Sequence, residues 1–415
     1  MMIRLLMMGF LTVSGAAQAM QPVTPAGLLP TEIARPLLEQ DPAVAAAREG
    51  LEVARQEARI LEQSPHEWGV RTWTQQRRVQ NGSRYNAYNE WSVGVERAIR
   101  LPGKAEADRR LGQTTVEESK ARYGEALHES ARELMALWVE WLAAERAHEL
   151  TQGSLQSTQA SLGAVEKRIR AGDASKLDLS IARADLAEQR RMDNDAKTQA
   201  AAAWARLSTR FPGVKRQAMA LPMPSEITTD AAAWRERILE QSDEFKVAKL
   251  QMQKTQAYAD RARADKIPDP TLGGYTTSEL GGRERIFGVM VSVPIPGGAR
   301  NSHSAKAVAA VEVSRREVEL KQRELETAIA SAIATAQGAY ASLQIANEGA
   351  SFMQENAALM QRAYALGEAE LQSMLLVRRQ ATAAVNSALQ AQASALRAYY
   401  GLLVDAHLIW ELDHD

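Results

Sequence analysis

Apolar residues in this chain follow two periods. Over most of its length they recur every three or four positions, the spacing that gathers them on one face of a helix. Leu177, Ile181, Leu186, Trp204 and Leu207 form one such stripe; Leu375, Ala381, Val385, Leu389, Leu396, Leu402 and Leu403 form another. Two short segments alternate instead. Between Tyr85 and Ile99, Ala87, Trp91, Val93, Val95 and Ile99 fall on one face, and Glu90, Ser92, Gly94 and Glu96 on the other. Between Ile286 and Ile295, Phe287, Val289, Val291 and Val293 face one way, and Gly288, Met290 and Ser292 the other. Period two marks a strand that is apolar on one side only. Each run has an upstream partner: Trp68 to Val79 through the turn Asn81-Gly82-Ser83, and Leu272 to Thr277 through Glu279 to Arg283. The pattern predicts two β-hairpins set among helices.

Both hairpins end in proline and glycine, Pro102-Gly103 and Pro296-Gly297. Proline cannot donate to a ladder and glycine permits a swivel, so each pair reads as a strand-to-helix joint. From Lys104 to Ala171 and from Ala305 to Leu366 the sequence favours helix and holds no proline. At 1.5 Å per residue these stretches are roughly 100 and 93 Å long, which makes them rods. Gly112, Gly124, Gly153 and Gly163 read as tolerable interruptions of the first rod, at about 1 kcal/mol each. The rods stop at Gly172 and Gly367, and each resumes at once as a returning helix, which predicts antiparallel helical hairpins. Helices over 36–63 and 174–210 could together line the first rod. Those over 230–264 and 369–412 exceed the second, and the surplus is expected to form side elements.

The two halves are copies. Val93-Gly94-Val95 recurs as Phe287-Gly288-Val289, Leu101-Pro102-Gly103 as Ile295-Pro296-Gly297, and Arg168 to Ala174 is echoed by Tyr364 to Ala369, with Arg183 matching Arg378. A period near 195 residues, the distance from Gly172 to Gly367, is far too long for a solenoid and implies one large unit duplicated and fused. The expected organisation is a first repeat over 20–211, with hairpin strands about 66–100 and a helical hairpin about 104–210. A linker over 212–229 follows, then a second repeat over 230–415, with strands about 271–296 and a helical hairpin about 305–412.

Composition narrows the setting. In 415 residues, 50 Lys and Arg balance 51 Asp and Glu, so no basic excess points to nucleic acid. Cysteine is absent, which excludes disulfides, cysteine-held metal and a lipidated N-terminal cysteine. Arg4, the apolar run Leu5 to Val13 and Ala17-Gln18-Ala19 read as an export signal over residues 1–19, with the mature chain starting near Met20. Beyond it no apolar run reaches transmembrane-helix length. If this chain enters a membrane its strands must cross, and only a closed barrel leaves no backbone polar group bare in lipid. The strands are about ten residues long, enough for a tilted crossing. Trp73, Tyr85, Tyr88 and Trp91 lie where aromatic girdles occur. Pattern alone also fits a soluble hairpin with one buried face; export and the duplicated architecture favour the membrane.

Candidate chemistry is sparse. His66, His128, His148, His303, His407 and His414 include no pair at helical metal-ligand spacing. Met353, Met360 and Met374 near the second tip read as core filler. No phosphate-binding loop, nucleophile elbow or zinc-protease motif occurs, so neither catalysis nor a cofactor is expected.

The duplicated tips, Gly172-Asp173-Ala174-Ser175-Lys176-Leu177-Asp178-Leu179 and Tyr364-Ala365-Leu366-Gly367, resemble those of the outer-membrane efflux protein (TolC) family. So do the strand exits, Ile99-Arg100-Leu101-Pro102-Gly103-Lys104 and Val291-Ser292-Val293-Pro294-Ile295-Pro296. The exits are most similar to the heavy-metal efflux branch (CzcC- and CusC-like). The resemblance implies a mainly α chain with a β-barrel portion, and a homotrimer that closes a 12-stranded barrel in the outer membrane on a long periplasmic α-helical barrel. It implies a passive exit duct for substrates, among them heavy-metal cations, driven by an inner-membrane pump of the RND type through a periplasmic adaptor. The implied gate and adaptor-docking residues are Gly172, Asp173, Asp178, Arg183, Gly367, Glu368, Glu370 and Arg378. Asp178 occupies the family's acidic position, whereas the second copy has Ser373 there, so Glu368 and Glu370 would have to supply the charge. Two other readings stay open: a duct for drugs or type I secretion, and an exported coiled-coil scaffold with no channel.

Overall fold

The computed structural model describes residues 25, 27–217, 219–227 and 230–412. The export signal over residues 1–19 and the start of the mature chain lie outside the described residues, as do His414 and the last residues of the second repeat.

The chain is mainly helical with one small sheet, the fold class read from sequence. In order it forms α1 (Thr31–Glu39), α2 (Pro42–Glu62), β1 (Gly69–Asn81), β2 (Arg84–Ala98), α3 (Pro102–Ala171), α4 (Lys176–Arg210), α5 (Ala231–Gln241), α6 (Asp243–Ala264), β3 (Thr271–Glu279), β4 (Glu284–Ser292), α7 (Gly298–Leu366) and α8 (Leu371–Asp405). The hairpins do not stand apart. β2 pairs antiparallel with β3, giving one four-stranded sheet in the order β1-β2-β3-β4. The described chain separates into two compact units, and each draws on both repeats. One contains the sheet, α2, α6, and α3 and α7 up to Glu133 and Ala328; the other contains the rest of α3 and α7 together with α4, α5 and α8.

Several boundaries differ from the sequence expectation, each for a local reason. The helix expected over 36–63 is broken before Pro42, where buried Asp41 caps α2 by accepting from the Ala43 amide at 2.8 Å and from Ser130 at 2.7 Å. The helix expected over 230–264 is likewise split, because Ser242 caps α6 through the Phe245 amide. The last helix ends at Asp405 rather than 412; His407, Trp410 and Glu411 adopt positive φ there. The Trp410 indole is buried and donates to the Leu29 carbonyl at 2.8 Å. The second rod begins at Gly298, earlier than Ala305. Gly112 is more than an interruption: a Cβ there would lie 3.0 Å from Ala58 Cα, so it lets α3 and α2 approach closely.

Candidate functional site

The two helical tips lie in one compact unit, and both rods end in the same way. Gly172 and Gly367 have φ of +87° and +80°, a conformation that costs a residue with a Cβ roughly 1–2 kcal/mol. Around them the backbone closes two Schellman motifs. Asp173 donates to the Arg168 carbonyl and Gly172 to Ile169 at 2.8 and 3.0 Å; Glu368 donates to Ala363 and Gly367 to Tyr364 at 2.9 and 3.1 Å.

The returning helices start differently. Ser175 and Asp178 form a reciprocal capping box: the Ser175 hydroxyl accepts from the Asp178 amide at 3.1 Å, and the Asp178 carboxylate accepts from the Ser175 amide at 2.9 Å. The Asp178 carboxylate is thus engaged with its own helix N-terminus. In the second tip the order of side chains is reversed, with Glu370 at the cap and Ser373 at the third helical position. Glu370 makes no cap hydrogen bond. That helix is held by burial instead, because Leu371, Met374 and Leu375 pack with Val165 and Ala182 in a small core flanked by Met360. Leu177, expected in the first stripe, is 67% exposed.

Arg378 behaves unlike its repeat mate. Its guanidinium donates to Ser161 of α3 at 3.0 Å and pairs with Asp185 of α4, whose side chain is 4% exposed. Asp185 also has Arg379 Nε at 3.9 Å. Arg183 is exposed and makes no hydrogen bond or ion pair among the described residues. Asp185 had no sequence signal of its own: its partner is 193 positions away. Arg168 lies over the Tyr364 ring at 5.1 Å and joins the two tips. Asp173, Glu368 and Glu370 are exposed.

The strand-to-helix joints form a second cluster, in the unit that holds the sheet. Pro102 opens α3, where its missing N–H is no loss. Next to it Lys104, nearly buried, pairs with Asp269 at 3.0 Å and Asp265 at 3.2 Å. Asp269 also accepts from His66 at 3.0 Å and from the Leu101 amide at 3.1 Å. Burial alone would raise the Asp269 pKa, but those three donors hold it below the usual carboxylate range. Arg100 caps the end of α2 through the Leu61 and Glu62 carbonyls at 2.6 and 2.7 Å and pairs with Asp108, which also meets Arg261. This ionic cluster was not legible in the sequence. At the second joint Pro296 and Gly297 are exposed and precede α7, with Arg300 donating to the Gly297 carbonyl at 3.3 Å.

The sheet itself is inside out. Register places Val70, Trp91, Val93, Val95, Leu272, Phe287, Val289 and Val291 on one face, and this apolar face is bare: Phe287 is 80% exposed and Val289 87%. The opposite face carries Glu90, 1% exposed, with Ser92 and Thr277 also buried. There Glu90 accepts from Gln75 at 2.7 Å and pairs with Arg77 at 3.1 Å, while Thr277 donates to Ser92 at 3.0 Å. In water such burial is the wrong way round, since apolar area is stabilised by about 25 cal/mol per Å² on leaving it. Only Tyr85 and Trp91 of the expected girdle lie on the apolar face; Trp73 and Tyr88 pair with Ser92 and Arg77 on the polar one. The repeated Gly94 and Gly288 flank Tyr275 on that polar face, and a Cβ at Gly288 would lie 2.5 Å from its ring.

Among the described residues no helix is long and apolar enough to cross a membrane, and no group of His, Asp and Glu could hold a metal ion. The family model for the outer membrane efflux protein matches residues 34–210 and 234–403. Solved structures share the fold. The CmeC outer membrane channel of Campylobacter jejuni aligns with a TM-score of 0.73 at 15% identity, over 92% of this chain and 86% of that one. VceC of Vibrio cholerae aligns with a TM-score of 0.71 at 13% identity, over 90% and 95%. CusC, whose structures describe transmembrane channel formation, aligns with a TM-score of 0.65 at 16% identity, over 92% and 93%. No curated protein sequence matches the chain. With both repeats spanned by the family model and the fold common to these channels, the chain belongs to the outer membrane efflux protein family.

Proposed function

We propose that this protein is the passive outer-membrane exit duct of a tripartite efflux system. Three copies close a 12-stranded barrel from their four-stranded sheets, and their helices form a barrel in the periplasm. One observation carries the reading: the sheet exposes its apolar face and buries its ionic one, which is stable only where the apolar face meets lipid and the polar face lines an aqueous lumen. The four strands present both edges of an open sheet unless copies pair edge to edge, and closure is what removes bare edges in lipid.

The tips serve as the periplasmic gate and the adaptor-docking end. Gly172, Asp173, Asp178 and Arg183 of the first tip act there with Gly367, Glu368, Glu370 and Arg378 of the second. Pro102-Gly103 and Pro296-Gly297 are the joints at which strand becomes rod. The two repeats arose by duplication of one unit. An inner-membrane pump of the RND type supplies the energy through a periplasmic adaptor protein, and the cargo is heavy-metal cations, a reading supported by the sequences of the strand exits. The full chain should require detergent, migrate as a heat-modifiable trimer and conduct in planar bilayers; monomeric protein soluble in plain buffer would refute the duct. A deletion strain made sensitive to organic toxicants but not to metal cations would refute the cargo alone.

A further inference from the structure

We propose that the turn end of the sheet binds the phosphate groups of anionic lipid, using Arg78 and Arg285 on the apolar face with Arg84 at the start of β2 and Arg283 in the β3–β4 turn. This rests on the reading that the apolar face meets lipid. Register assigns every strand residue to a face, and the apolar face carries no acid at all. Its charges are Arg78, Arg97 and Arg285. Arg97, at the joint end, is satisfied: its Nε donates to the His66 carbonyl at 2.9 Å and its guanidinium lies 5.5 Å from the Trp68 ring.

The turn end is different. Arg78, Arg84, Arg283 and Arg285 are all exposed, and among the described residues none of their side chains makes a hydrogen bond or ion pair within the chain. The arginines of the polar face show the contrast. Arg71 pairs with Glu96 at 2.6 Å, and Arg77 with Glu279 at 2.8 Å and Glu90 at 3.1 Å. Of the acids at the β3–β4 turn, Glu279 is paired with Arg77, and exposed Glu284 lies opposite Glu279 on the polar side.

The arginines lie toward the turn end of the sheet, at different heights along the strands. Arg285 pairs with Ser278, which faces Trp91, one rung beyond the apolar rung Phe287–Thr276–Val93. Arg78 faces Ala87, four residues further along β1 than Thr74, or about 13 Å along the strand. A lipid-facing Arg is disfavoured at the bilayer midplane and tolerated at the interface, so Arg285, on the lower rung, sets where hydrocarbon ends and Arg78 lies above it. The chemical complement of an uncompensated guanidinium there is a phosphate, which it binds through paired, charge-assisted hydrogen bonds. Exposed Tyr85 on the same face adds the amphipathic ring expected at that depth.

The test uses the full chain, purified in non-ionic detergent as the assembled oligomer and incubated with bisphosphorylated lipid A, with its dephosphorylated form, or with inorganic phosphate. Native mass spectrometry reads the lipid retained. The wild type should retain the phosphorylated lipid at least about tenfold better than the dephosphorylated one. R78Q/R285Q should abolish that preference, R78K/R285K should keep most of it, and millimolar inorganic phosphate should not displace the lipid. Equal retention of the two lipids by the wild type, or an unchanged preference in R78Q/R285Q, would overturn the proposal. Should the glutamine variant fail to assemble, the wild-type comparison of the two lipids decides alone. Loss of preference alongside a detergent-dependent oligomer leaves the duct standing, whereas a lipid-free protein soluble without detergent removes both.

Discussion

Replacing Arg378 with methionine should loosen the helical tips. The Asp185 carboxylate it pairs with is 4% exposed, and the remaining cation, Arg379, is more than half exposed with its Nε at 3.9 Å. Removing one partner of a buried pair typically costs about 3–5 kcal/mol, because the other charge stays desolvated. Arg378 keeps 17% of its side chain in water, so about 2–4 kcal/mol is the reasoned range. Asp185→Asn should cost less, because Arg378 retains its bond to Ser161 and can reach solvent. The double variant, in which no charge is left buried, should recover about 2 kcal/mol relative to the sum of the singles. Hydrogen exchange of the amides in α4 and α8 reads this directly. In R378M they should open about 30-fold more often for each 2 kcal/mol lost. Single-channel recording should show a raised leak if the pair also restrains the gate. A coupling energy below about 0.5 kcal/mol would refute the reasoning. The pair would then be a contact without energetic consequence.

The other expectations concern caps, glycines and acid. Ser175→Ala should cost α4 about 1 kcal/mol, whereas Glu370→Ala should leave α8 unchanged, as measured by local exchange near each N-terminus. Gly367→Val should strain the second tip by at least about 1–2 kcal/mol and raise leak conductance in planar bilayers, as should Asp178→Ala through its capping box; unchanged conductance in both removes these residues from the gate. Asp269 and Glu118 both have lowered pKa values. For Glu118, burial raises it but Lys254 at 2.9 Å and Arg122 at 2.8 Å bring it down. Their stabilisation is therefore complete above the ordinary values of 3.8 and 4.5 and declines as pH falls through the window beneath them. Acid titration followed by circular dichroism should show wild type weakening only below pH 3.8 where Asp269 is concerned, and Asp269→Asn losing that part of the dependence.

Most of this fold was written in local pattern. Alternation located both hairpins, long proline-free helical stretches located both rods, and Gly172 and Gly367 located the tips, because a helix that must end in a left-handed residue advertises it. The breaks before Pro42 and at Ser242 were also local, but their caps lay inside continuous helical periodicity and were outweighed by it.

By itself, then, the sequence determined the elements, their duplication and the alternation of the strands, since each depends on residues a few positions apart. Only the tertiary structure decided that the two hairpins share one sheet, that its ionic face is the buried one, and that Arg378 finds Asp185. Those outcomes rest on partners 185 to 193 positions apart, such as Thr277 with Ser92 and Arg378 with Asp185. The physical reason is that periodicity states which residues share a face, while burial and pairing are set by whatever the rest of the chain brings against that face.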